Sequence, residues 1–92
     1  MQEIQIQWNA LKNEWLKQER GVGFEDFIIA IQENRVLDSL EHPNTEKYPN
    51  QRVFIARIGQ YIYAVPYVKT ETGLFLKTII PSRKYTKLYL NL

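Results

Sequence analysis

The chain has no cysteine, so neither a disulfide framework nor a thiolate metal site can hold it together or work within it. Its single histidine, His42, excludes a site built from several imidazoles. Glycine-rich phosphate loops are missing, the only close pair being Gly21 and Gly23. The longest apolar or aromatic run, Tyr61 to Val68, falls far short of a membrane span. The opening Met-Gln-Glu-Ile-Gln-Ile-Gln-Trp alternates polar and apolar residues and lacks the apolar core of a signal peptide. A cytoplasmic protein without a membrane partner is therefore expected. Carboxylates nearly vanish from the second half, where Glu71 stands alone. Metal-dependent hydrolysis draws on clustered Asp or Glu ligands, so no metal and no cofactor are expected.

What remains is one domain over residues 1–92 with a strong charge partition. Through Glu46 four Lys or Arg face nine carboxylates; from Lys47 onward eight face one. The formal net charge of +2 therefore hides a dipolar molecule, one half of which could hold a polyanion. No long basic amphipathic helix is present, which favours nucleic acid over a membrane surface.

Local patterns predict an α+β order of β-α-α-β-β-β-β-α. Ile4, Ile6 and Trp8 alternate with glutamines as in a half-buried strand. Asn9 suits a helix N-cap and Gly21 a helix end, with Leu11, Trp15 and Leu16 between them at helical spacing. Phe24, Phe27, Ile28 and Ile31 fall at i, i+3, i+4, i+7, a second amphipathic helix. Both tryptophans and this stripe are expected in the core.

A strand at 36–40 leads into a polar, proline-punctuated loop at 42–50, long enough to carry function. Strands at 52–58, 61–69 and 74–80 should form a meander, turning at Gly59-Gln60 and at Thr70 to Gly73. Pro66 cannot donate to a ladder, which implies a bulge or an edge. A closing helix opens with Arg83 and Lys84 and carries Tyr85, Leu88, Tyr89 and Leu92 on one face. The pleat puts Arg52, Phe54, Ala56 and Ile58 on one sheet face with Tyr61, Tyr63, Val65, Tyr67, Leu76, Thr78 and Ile80. The opposite face takes Val53, Ile55, Arg57, Ile62, Ala64, Val68, Phe75, Lys77 and Ile79. A one-residue slip would exchange them, so the pattern leaves open which face is packed.

Cations in a helix's first turn oppose its dipole, a disadvantage that an anion bound there would offset; a solvated first turn is the alternative. The chemistry available is therefore cationic chemistry on a phosphodiester. RNA supplies its own 2′-OH nucleophile, arginine grips phosphate oxygens bidentately, and His42 could transfer protons near neutral pH. Tyr61, Tyr63 and Tyr67 could stack on bases, though tyrosine is also an ordinary strand former.

Three segments resemble the BrnT-type toxins. Gln7-Trp-Asn followed by Glu19-Arg-Gly-Val-Gly-Phe-Glu-Asp26 is similar to the family's opening block. His42 and Arg52 look like its His…Arg pair, and Lys77-Thr-Ile-Ile-Pro-Ser-Arg-Lys84 resembles its Arg-Ile-Ile-Ser-Ala-Arg-Lys signature. Two positions depart from the pattern: Arg20 stands where the family has histidine, and Thr78 where it has the strand arginine.

The resemblance implies a RelE-like fold: an antiparallel sheet packed by two N-terminal helices, with a short C-terminal helix. It further implies a metal-independent endoribonuclease that cleaves mRNA and inhibits translation, neutralised by a cognate antitoxin, with the ribosome a further candidate partner. Carried onto this sequence, Arg83, Arg52 and His42 would be catalytic. Lys84, Lys87, Arg57 and Lys77 would bind RNA. The alternative is a non-catalytic relative that binds RNA or a partner protein.

Overall fold

Asn9 turns the first strand into the first helix, its side-chain oxygen accepting the N–H of Lys12 at 2.9 Å. The computed structural model describes residues 4–90. Its elements run β1 (Gln5–Trp8), α1 (Ala10–Arg20), α2 (Phe24–Gln32), β2 (Val36–Glu41), β3 (Gln51–Ile58) and β4 (Tyr61–Lys69). Then come β5 (Gly73–Leu76), β6 (Ile80–Pro81) and α3 (Arg83–Leu90). Gly21 closes α1 at φ 69°, a left-handed conformation that glycine adopts without strain. The three helices and a mixed sheet make an α+β domain.

The strand order is β1-β5-β4-β3-β2, with β6 pairing β4 beyond the end of β5. One strand corrects the expected all-antiparallel sheet: β1 runs parallel to β5, Gln5 opposite Gly73 through Trp8 opposite Leu76. Gly73 makes that approach possible, since a Cβ there would sit 2.0 Å from the backbone oxygen of Gln5. The Gly59-Gln60 hairpin forms as expected, with Gly59 at φ 63° and Gln60 at ordinary φ.

The pleat puts Phe54, Ala56, Val65, Tyr67 and Leu76 on the face covered by α1 and α2, where Leu16, Phe24 and Phe27 are fully buried. Each such side chain contributes on the order of 1.5–3 kcal/mol by leaving water. The other face carries Val53, Ile55 and Ile62, against which α3 sets Tyr85 and Leu90. The sheet is thus the middle of three layers.

The expected strand at 74–80 is broken. Leu76 is level with Tyr67, but Ile80 is level with Ala64, so one extra residue enters between β5 and β6. Pro66 is the cause within reach: its carbonyl accepts the N–H of Lys77 at 2.8 Å, and it has no N–H to return. The slip exchanges the next two side chains. Ile79 enters the core beneath α1 and α2, while Ile80 turns to the α3 side, 41 % exposed. The Arg20 guanidinium reaches across from α1 and donates to the Ile79 carbonyl, fixing the irregular segment.

Two further expectations are corrected. Trp8 stacks on Phe24 at 5.4 Å, but Trp15 is 41 % exposed. The side of α1 that meets the core is set by Asn13 and Leu16, which leaves Trp15 outward beneath Lys12 and Arg20. In α3 the inward residues are Thr86, Tyr85 and Leu90, so Leu88 is 64 % exposed. Leu92 lies outside the described residues.

Candidate functional site

α3 is fastened to β4 by hydrogen bonds, which settles where its cations stand. The Ser82 N–H donates to the Ile62 carbonyl at 2.9 Å, and the Thr86 hydroxyl accepts the Ile62 N–H at 3.0 Å. The same hydroxyl donates to the Ser82 carbonyl at 2.7 Å. Ser82 also caps the helix, its hydroxyl oxygen accepting the Tyr85 N–H at 3.2 Å. With this end held, Arg83, Lys84 and Lys87 all project into solvent. Lys84 lies 5.5 Å from the centre of the Tyr85 ring. Among the described residues the ion pairs are Lys17 with Glu14 and Glu25, and Arg35 with Glu33. None involves α3, so its charge is free to meet an external anion.

Next to α3 lies an apolar groove of about 220 Å³ on the open half of that sheet face. Val53, Ile55, Ala64 and Pro66 form the sheet side, with Ile80 and Tyr85 from the α3 side. His42 and Pro43 of the long loop stand at its rim. The His42 ring packs at 4.5 Å against Tyr48, and its Nδ1 accepts the N–H of Asn44 at 3.0 Å. A neutral imidazole held this way carries its proton on Nε2 and presents a donor. His42 is therefore brought to the same side of the sheet as α3.

Arg52 is not. It follows the pleat of Phe54 on the other face, level with Tyr67, and one guanidinium nitrogen donates to the Ser39 carbonyl at 3.1 Å. It lines a second, polar depression with Thr45, Asn50 and Lys69, which meets the groove at Glu41. Pro81, at the foot of α3, is level with Tyr63. Four residues of β4 thus separate the two levels, about 13 Å at roughly 3.3 Å per residue. Arg52 and Arg83 do not share a site in this fold.

The remaining basic candidates are dispersed. Arg57 closes the β3–β4 hairpin, donating to the Gly59 carbonyl at 3.1 Å and to Gln60 Oε1 at 3.3 Å. Lys77 follows β5, exposed, with its ammonium 5.5 Å from the Phe75 ring. Thr78 stands inside the irregular segment, its buried hydroxyl oxygen without a partner. Tyr63 lies on the α1–α2 side beside Tyr61 at 5.7 Å. Burial first, then the charges of Tyr61 and Asp26, push its phenol above the ordinary range. No group of three or more Asp, Glu or His among the described residues could hold a metal ion.

Sequence reasoning missed Tyr85 and Ile80 as walls of the groove. The only available signal was Pro66, whose effect on register decides that Ile80 faces α3. Neither a protein family, nor a curated protein, nor a solved structure matches this chain.

Proposed function

We propose that this chain acts on RNA through the surface of α3, as a toxin-like protein of the BrnT/RelE kind. The observation that supports this is the crowding of three exposed cations, Arg83, Lys84 and Lys87, onto one eight-residue helix that includes no carboxylate. Phosphate contacts of this kind release counterions and give affinity without sequence preference. Within the reading, Arg83 holds a phosphate, and His42, across the groove, serves in proton transfer once its Nδ1 leaves the Asn44 N–H, because the neutral ring held by that bond has no free acceptor. Metal-independent cleavage by the 2′-OH needs no further nucleophile. A cognate antitoxin would cover the same basic surface with an acidic segment, and opposite charges would speed its association.

A second reading, a non-catalytic RNA- or protein-binding module, is favoured by one observation: the distance between Arg52 and Arg83 along β4. Expression in bacteria separates the two. Slowed growth with loss of intact mRNA, both relieved by Arg83→Ala, supports the ribonuclease. Unchanged RNA alongside binding in vitro supports the module.

A further inference from the structure

α3 covers only part of its sheet face. It is tied to β4 at Ile62, while Val53, Ala64 and Pro66 continue past it as the floor of an open groove. At about 220 Å³ this groove is smaller than the roughly 300 Å³ at which pockets for drug-sized ligands begin. It takes one flat ring system, not a folded ligand. We propose that it receives a single unstacked base of single-stranded RNA, with Tyr85 as the stacking surface and the α3 cations on the flanking phosphates. This rests on the RNA-directed reading above and adds to it a base-binding subsite.

Three features converge on a nucleotide in preference to an apolar protein side chain. Tyr85 forms one wall, with Lys84 before it and Lys87 two residues after it on the same short helix, so an aromatic face and cations come from one element, as in single-stranded nucleic-acid binding. His42 stands at the rim with its Nε2 proton available to an acceptor on a base edge, because Nδ1 is occupied by the Asn44 N–H. Glu41 is the one carboxylate at the groove, on the wall furthest from α3 by strand order. The floor itself offers no polar side chain, so the subsite accepts any base, and affinity comes from stacking.

The test is binding of two probes of equal length and charge: a short single-stranded RNA and the same backbone with abasic residues. Wild-type protein should bind the base-bearing strand about tenfold more tightly. Ala64→Leu, which fills the floor, should erase that preference while keeping the abasic affinity and its salt dependence. Tyr85→Leu, which removes the stacking ring and no charge, should also erase the preference if the core does not accommodate leucine at Ala64. Equal wild-type affinity for the two strands overturns the subsite while leaving the RNA reading intact. A preference that survives both substitutions also overturns it and returns the groove to an apolar side chain of a protein partner. Failure to bind either strand overturns the RNA reading together with the subsite.

Discussion

Asn13 is 4 % exposed and joins α1 to the start of α2. Its side-chain oxygen accepts the Phe24 N–H at 2.8 Å, and its amide donates to both oxygens of Glu25 at 2.9 and 3.0 Å. Asn13→Leu should destabilise the fold by about 1–3 kcal/mol, read by urea denaturation, because the Phe24 N–H is left buried without an acceptor. Glu25 adds a pH signature. The Asn13 amide above all, and the Lys17 ammonium in a smaller measure, hold its carboxyl below the ordinary value of 4.5. A lowered carboxyl stabilises the fold above its unfolded pKa, and that contribution fades as pH falls through the folded value. Glu25→Gln should therefore narrow the stability difference between neutral and acidic pH. Glu25 is half exposed, so the change should be small. Among the arginines, Arg83→Ala should weaken RNA binding several-fold. Arg52→Ala, on the other face, should leave binding within about twofold while it removes the contact to Ser39.

At the scale of elements, what the sequence made legible was local. The Asn9 cap, the Gly21 stop, the Gly59 hairpin and the start of α3 at Arg83 all follow from residues within a few positions of one another. Illegible features depended on partners far along the chain. The parallel pairing of β1 with β5 required the absent Cβ of Gly73 beside Gln5. The break after Leu76 required Pro66 on a neighbouring strand, and the period-2 pattern of 74–80 does not register it. For the same reason the groove was invisible in advance, since its Ile80 wall exists only after the slip. His42 and Arg83 were legible as candidates by residue type, but the distance of Arg83 from Arg52 was not, because it turns on how β3 and β6 register along β4. Two variants test these elements. Gly73→Ala should detach β1 and destabilise the fold by about 1–3 kcal/mol. Thr86→Val should remove the side-chain tie between α3 and Ile62, leaving only the backbone bond from Ser82, and raise hydrogen exchange in α3 before the rest of the sheet.

For the molecule as a whole, the fold converts a division of charge along the sequence into a surface. The carboxylate-rich half supplies α1, α2 and β2, and the basic half supplies β3 to β6 and α3. Because α3 lies on the opposite side of the sheet from α1 and α2, its cations are set apart from most of the acids. Such a separation steers a polyanion to one side. The most direct test is the salt dependence of RNA binding for two double variants of equal charge change, Lys84→Gln with Lys87→Gln and Lys12→Gln with Lys17→Gln. Each lost phosphate contact lowers the slope of log affinity against log salt by about 0.7 for a single strand. The α3 pair should lose affinity and flatten the slope by up to about 1.4, while the α1 pair should match wild type. Equal losses from the two pairs, or an unchanged slope in the α3 pair, would contradict the account.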